Sequence, residues 1–325
     1  GNVMKKFGLA MTAMLLAVSM TACASNPSDS GEQKLQIGII QPAEHAALDS
    51  AREGFVDTLA DHGYVDGETI EIDYQNAQGD SSALLTISQR FVGDDCDLVL
   101  AIGTGAAQSI ASQTSEIPVL ITAVTDPVDA GLVQSNEAPG TNITGTNDMN
   151  PIREQMELIR EFLPDVQTVG LLYTSSEDNS ALQIQEVKAV LEEMNVGYVE
   201  QTVTGSYDVQ QAVQSILGKC DALYIPTDNT LAASAALVGS AAQTAKIPVF
   251  WGEGNCVAEG GLASLGLDYY NLGRQTGEMA VEVLEGADPA VMPIQSQSDY
   301  SYTISKSMAE EIEIEIPKHL LEFAE

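Results

Sequence analysis

Short apolar runs alternate with longer amphipathic ones along most of the chain, at the spacings of strand and helix. Apolar or alternating runs predict strands over 35–40, 69–74, 97–102, 119–122 and 142–145. Helical spacing between them predicts helices over 46–62, over 81–92 and from Gly103 onward. The first helix carries Leu48, Phe55, Val56 and Leu59 on one face and stops at Gly63, a residue type that caps helix C-termini. The same order then recurs, with strands over 168–173, 198–203, 221–225, 248–251 and 262–265 and helices over 179–194, 209–217 and 229–245. A strong helical pattern follows the fifth strand of each half, over 152–162 and 272–284.

Two stretches read as copies of one another. Asp97-Leu-Val-Leu-Ala-Ile-Gly-Thr-Gly-Ala-Ala is followed by Ile117-Pro-Val-Leu, and Asp221-Ala-Leu-Tyr-Ile-Pro-Thr-Asp-Asn-Thr-Leu-Ala by Ile247-Pro-Val-Phe. Each is a buried strand, a polar turn, an Ala-rich helix and a second apolar strand. Strand–helix alternation at this spacing predicts an α/β protein of two doubly wound parallel-sheet, Rossmann-like lobes with a cleft between them. The simplest topology sends the helix after each fifth strand to the other lobe, with Asn147-Asp148 and Leu267-Asp268 as hinge strands. Lobe one is then 35–146 plus about 268–290, and lobe two 147–267 plus about 291–325. The tail supplies a strand near 300–304 and a closing helix, and its lobe is left open.

At 325 residues the chain has room for two cores. Ahead of them, Lys5 and Lys6 precede an apolar run over 8–20 that ends in Met20-Thr21-Ala22-Cys23. This reads as a signal peptide over 1–23 with a lipobox, so that Cys23 is lipidated, followed by a flexible tether over 24–34. The alternative is a plain secretory signal with an incidental cysteine. The net charge of −34, from 47 acidic and 13 basic residues, excludes backbone-driven nucleic-acid binding and adhesion to anionic lipid. It suits solubility at the cell exterior. Cys96, Cys220 and Cys256 show neither a disulfide framework nor metal-ligand spacing, and no motif calls for a metal or cofactor.

Ligands of open parallel sheets bind beyond the carboxyl ends of the strands. That rule selects Glu44, His45, Asn76, Thr104 with Gly105, Thr125 and Asp126 from lobe one and Tyr173, Ser175, Glu177, Asn179, Thr227, Asp228, Asn229, Trp251 and Glu253 from lobe two, with Asn147 and Asp268 at the hinges. Gly103-Thr104-Gly105 opens a helix and offers free backbone N–H groups and a hydroxyl to an anion, or is simply a cap. The acids Glu44, Asp126, Asp228 and Glu253 suit a ligand ammonium, although Asp228 can instead cap its helix and Asp126 can make a turn. Trp251 and Tyr173 offer planar surfaces for a flat ligand, or pack the cleft wall. Glu44, His45 and Asp126 could be read as acid–base machinery of a hydrolase or isomerase, without a clear nucleophile.

Four segments together resemble the ABC-transporter substrate-binding lipoproteins of the tryptophan/tyrosine-binding type. They are Glu44-His-Ala-Ala-Leu-Asp-Ser-Ala-Arg-Glu-Gly-Phe55, Thr122-Ala-Val-Thr-Asp-Pro-Val-Asp-Ala-Gly-Leu132, Ile225-Pro-Thr-Asp-Asn-Thr230 and Gly266-Leu-Asp-Tyr-Tyr-Asn-Leu-Gly-Arg-Gln-Thr-Gly277. The resemblance implies a type I periplasmic-binding-protein fold, an aromatic or other apolar amino-acid ligand, and a permease and ATPase as partners. It places Glu44, Thr104, Thr125, Asp126, Asp228 and Asn229 in the family's cleft motifs. Trp251-Gly-Glu-Gly-Asn255 departs from the family pattern and bears on ligand choice. The expected protein is a monomeric, non-enzymatic receptor on the outer face of the cytoplasmic membrane, or periplasmic, anchored only by lipid. Thr104 and its neighbouring amides hold the carboxylate, one or more of Glu44, Asp228 and Glu253 hold the ammonium, and Trp251 and Tyr173 line the side-chain pocket. A same-fold receptor for a sugar, nucleoside or other small solute remains the alternative.

Overall fold

The computed structural model describes residues 33–325, so the signal peptide, Cys23 and most of the tether lie outside the described residues. Lobe one is built on strands β1 (Leu35–Gln41), β2 (Ile70–Asn76), β3 (Leu98–Ile102), β4 (Val119–Val124) and β5 (Ile143–Asn147), with helices α1 (Ala46–Asp61), α2 (Ser81–Gly93) and α3 (Thr104–Ala111) between them. Its five strands are all parallel, in the order β2-β1-β3-β4-β5. After β5, helix α4 (Ile152–Phe162) leads into lobe two: strands β6 (Thr168–Thr174), β7 (Gly197–Val203), β8 (Ala222–Ile225), β9 (Val249–Trp251) and β10 (Ala263–Leu267). Helices α5 (Asp178–Glu193), α6 (Val209–Leu217), α7 (Asn229–Ala233), α8 (Ala235–Ala245) and α9 (Val257–Gly260) connect them. Helix α10 (Tyr269–Leu284), strand β11 (Tyr300–Ile304) and helix α11 (Lys306–Glu311) complete the chain. The second sheet runs β11-β10-β9-β8-β6-β7, with only β11 antiparallel.

Period-two alternation along each strand feeds two cores, one on either face of its sheet. In lobe one Leu98, Leu100 and Ile102 pack under α1 and α10, while Val99 and Ala101 pack under α2 and α3. In lobe two Ala222 and Tyr224 pack with α4 and α5, while Leu223 and Ile225 pack with α6 and α8. Helix α4 buries Ile152, Met156, Ile159 and Phe162 in the core of lobe two, and α10 buries Tyr269, Leu272, Met279 and Val283 in that of lobe one. The chain therefore crosses between lobes after β5 and again after β10.

A third crossing follows Gln295. Met292 and Ile294 still pack in lobe one and the Gln295 amide donates to the Gly145 carbonyl, so 291–295, expected in lobe two, stay with lobe one. From Tyr300 the tail pairs with β10, and Ile312, Ile316 and Leu320 join lobe two's core. The helix expected over 229–245 is broken at Ser234, which sits at φ −109 and ψ 19, outside helical geometry. Among the described residues no helix is long and apolar enough to cross a membrane.

Helices α1 and α10 approach so closely that three glycines are needed between them. A methyl at Gly273 would collide with the Ala51 carbonyl, one at Gly54 with the Tyr270 carbonyl, and one at Gly277 would lie 2.7 Å from Thr58 Cβ. Backbone atoms cannot rotate away as side chains do, so Gly273→Ala is expected to destabilise the protein by about 2–3 kcal/mol, at the upper end for overpacking. Gly218→Ala, at a helix end with helical φ and open space around it, should change stability by less than about 0.5 kcal/mol. Denaturant unfolding of the two variants checks this, and equal effects would contradict the packing argument.

Candidate ligand-binding site

The carboxyl ends of the two parallel sheets face each other, and the lobes touch there. His45 begins α1, and its Nε2 lies 3.0 Å from Asn229 Oδ1 of lobe two. Its Nδ1 lies 3.7 Å from Glu253 Oε1. Farther out, Gln108 Nε2 on α3 donates to Asp178 Oδ2 on α5 at 3.1 Å. A methyl at Gly103 would sit 3.6 Å from Asn229 Nδ2, so the turn before α3 lies against lobe two. Contact of this kind buries many polar side chains: His45, Thr104, Thr125, Asp148, Asn150, Thr227, Asp228, Asn229 and Glu253 are each at most 9% exposed.

Most of these find partners within their own lobe. Asp228 caps α7 by accepting from the Leu231 amide, and it also accepts from the Thr174 amide and from the hydroxyls of Thr174 and Ser180, all at 2.7–2.9 Å. Both oxygens are thus used in tying β6, α5 and α7 together, so Asp228, expected to hold a ligand ammonium, is a structural anchor. Glu177 accepts from the Asn229 amide, from Asn229 Nδ2 and from the Thr230 amide. Burial and the adjoining Asp228 carboxylate push the Glu177 carboxyl well up.

The bond from Asn229 Nδ2 to Glu177 fixes the Asn229 amide, leaving its Oδ1 to accept from His45 Nε2. In the neutral ring that assignment makes His45 Nδ1 an acceptor, and it has no partner in the protein.

A few buried atoms share that condition. The Thr104 hydroxyl, Asp148 Oδ1 and Asn150 Oδ1 have no hydrogen-bond partner among the described residues. Thr104 is the first residue of α3, and Gly103 before it, at φ 94, supplies no side-chain cap. The α3 amides and this hydroxyl form a donor-rich end in lobe one. Asp148 follows β5 directly. Its Oδ2 accepts from the Tyr269 hydroxyl at 2.6 Å, and its amide donates to the Val124 carbonyl. Burial raises the Asp148 carboxyl to about 6, with the Tyr269 hydrogen bond opposing and the Glu253 charge adding to the rise. The strand-end rule reaches Thr227 and Glu177 but not Asp148 or Asn150. A polar run directly after β5, Asn147-Asp-Met-Asn150, is the signal that points to these two.

The remaining expected residues are placed otherwise. Trp251 is in the core of lobe two and donates from its ring to the Gly260 carbonyl. Alternation explains this, because Val249 and Trp251 share the face under α6 and α8 while Phe250 takes the other. Tyr173 shares the face of Val169 and Leu171, packs toward α5 and donates to Glu200. Neither aromatic lines the cleft. Glu44 is exposed and accepts from the Tyr74 hydroxyl, and Asp126 accepts from the amides of Val128 and Asp129 in its own turn. With His45 on Asn229, the three residues considered for acid–base chemistry hold separate partners. Asp268 is exposed and caps α10 through the Asn271 amide. The Asn147 amide donates to the Gln295 carbonyl at a chain crossing, Gly105 lies in the first turn of α3, and Thr125 is buried after β4. Among the described residues no group of three or more His, Cys, Asp or Glu is placed to hold a metal ion.

Known proteins match this chain in sequence and fold. A family model described as ABC transporter substrate binding protein matches residues 36–325. A tyrosine-binding protein of Clostridioides difficile (strain R20291) is 39% identical over 322 residues, covering 96% of this chain and 93% of that protein. The crystal structure of an ABC domain in complex with L-Trp from Streptococcus pneumonia is 40% identical with a TM-score of 0.86, over 90% of this chain and 99% of that one. The ligand-free, open structure of a substrate-binding protein with adhesive properties from Clostridium difficile is 42% identical with a TM-score of 0.67, over 87% and 96%. Identity is nearly equal in the two structures, so the gap in score is one of shape, and the touching lobes here stand more as in the L-Trp complex. The fold is that of type I periplasmic binding proteins. The chain belongs to the ABC transporter substrate-binding protein family, receptors that work outside the cytoplasm, bind a small molecule and serve a transporter.

Proposed function

We propose that this receptor binds an aromatic or large apolar amino acid as a zwitterion between its lobes and delivers it, unchanged, to a permease driven by an ATPase. The observation that carries the reading is the polarity of the unpartnered buried atoms. The α3 start and Thr104 in lobe one can donate to a carboxylate, while the bare oxygens of Asp148 and Asn150, in the crossover between the lobes, can accept from an ammonium. The aromatic preference is supported by relatives described as tyrosine-binding and as complexed with L-Trp. Closure is hinge motion about the chain crossings, after Asn147, after Leu267 and over 296–299. Cys23 tethers the receptor to the membrane through lipid.

Four outcomes are expected. L-Tyrosine or L-tryptophan at about 100 times its Kd should stabilise the protein by roughly 2.7 kcal/mol in thermal unfolding. No response to any amino acid would contradict the reading. Thr104→Val removes a hydroxyl that has no partner in the protein, so ligand-free stability should hold while calorimetric affinity falls roughly 10- to 100-fold, as for a lost hydrogen bond to a charged group. Asp228→Ala should instead lower ligand-free stability by at least about 3 kcal/mol, since it strands several buried donors. The reverse ranking would return Asp228 to the ligand. Finally, Cys23→Ser should move the receptor from the membrane fraction to the soluble fraction, and an unchanged distribution would rule out the lipid tether.

A further inference from the structure

Asp148 and Asn150 lie in the crossover between β5 and α4, and each holds one side-chain atom fixed and leaves one bare. Asn150 Nδ2 donates to Gln183 Oε1 and to the Thr227 hydroxyl, both at 2.7 Å. Gln183 cannot be turned over to reverse this, because its own Nε2 donates to the carbonyls of Asn179 and Thr227 at 2.9 Å. The Asn150 Oδ1 is therefore an acceptor by construction, and it has no partner. Asp148 is held in the same way: the Tyr269 hydroxyl takes Oδ2, leaving Oδ1 bare. Asp148 with Tyr269, and Asn150 with Gln183 and Thr227, are thus two hydrogen-bonded groups that together make the polar network of the crossover.

Glu253 stands next to this network. It is 1% exposed, its Oε1 accepts from the Cys256 thiol at 3.0 Å, and its charge acts on both Asp148 and Tyr269. His45, 3.7 Å from Glu253, presents a further bare ring nitrogen. Among the described residues no lysine or arginine is paired with Asp148 or Glu253. Two buried carboxyl groups and an amide oxygen, all acceptors, ask for a small cationic donor with several N–H bonds.

We propose that Asp148 Oδ1 and Asn150 Oδ1, with Glu253 beside them, form the subsite for the primary ammonium of the ligand. This rests on the amino-acid reading above and adds to it the residues that select the charged amine. The placement has a mechanical consequence. Asp148 is tied through Tyr269 to α10, which packs on lobe one, whereas Asn150 is tied through Gln183 and Thr227 to lobe two. An ammonium held by both oxygens bridges the two sides of the hinge, so the amine is needed for closure as well as for affinity.

The test is calorimetric titration of the full mature receptor with L-tyrosine, L-tryptophan and their des-amino analogues, 3-(4-hydroxyphenyl)propionate and indole-3-propionate. The wild type should prefer the amino acids by at least about 100-fold, equivalent to two decades of about 1.4 kcal/mol each. Asp148→Asn keeps the shape and the Tyr269 contact but removes the charge, and should shrink that preference at least about tenfold with little change for the des-amino compounds. Glu253→Gln serves as a second variant should Asp148→Asn fold poorly, and should shrink the preference in the same direction. If the preference stays at its wild-type value in the folded variants while affinity for both ligand classes falls together, the subsite is wrong and the amino-acid reading stands. If the wild type binds none of the amino acids, both are wrong.

Discussion

The structure depends on what happens to polar strand ends when two parallel sheets are brought end to end. Each sheet finishes in turns rich in hydroxyls, amides and carboxylates, and these remain wet while the lobes are apart. Contact between the lobes removes the water. A buried polar atom left without a partner costs about 1–3 kcal/mol, so nearly every group at the seam is bonded, and the few that are not stand out against that background. Thr104, Asp148 and Asn150 are unsatisfied by their own protein. A ligand that satisfies them from between the lobes stabilises the contact itself, which is how a small molecule can govern the relative position of two domains.

The rest of the fold holds those atoms still. The crossover helices pack on the lobe opposite the strand they follow, so the hinge segments are pulled taut between two cores. The glycine contact of α10 on α1 fixes Tyr269, and Tyr269 fixes one Asp148 oxygen. On the other side Gln183, locked by two carbonyls, fixes Asn150. Asp228, saturated with hydrogen bonds, sets the end of β6 and the start of α7, and through Asn229 it lies next to the His45 contact between lobes. Residues that look like ligand contacts by chemistry are in several cases the supports that orient them.

Much of the architecture was legible in the sequence because strand–helix alternation and the duplicated Asp-strand-turn-helix segment are strong, periodic signals. The strand-end rule likewise led to His45, Thr104 and Glu253, all buried at the seam. It did not distinguish a residue at a strand end from a side chain pointing into the cleft. Trp251 and Tyr173 show the difference: both end strands, and period-two alternation turns both into the faces of the sheet. Asp228 shows a second limit, since a cap and a ligand contact have the same residue type at the same place, and only the count of bonds to each oxygen separates them. Asp148 and Asn150 escaped because hinge segments carry no periodicity, and because their bare oxygens are defined by partners, Tyr269 and Gln183, far away in the chain.

A crystal structure of the receptor with L-tyrosine or L-tryptophan tests the central claim most directly. The account predicts the ligand carboxylate at the start of α3 against the Thr104 hydroxyl, and the ammonium nitrogen within about 3 Å of Asp148 Oδ1 and Asn150 Oδ1, the normal range for charge-assisted hydrogen bonds. An ammonium bonded instead to Asp228, or a ligand bound with those two oxygens still bare, would contradict it.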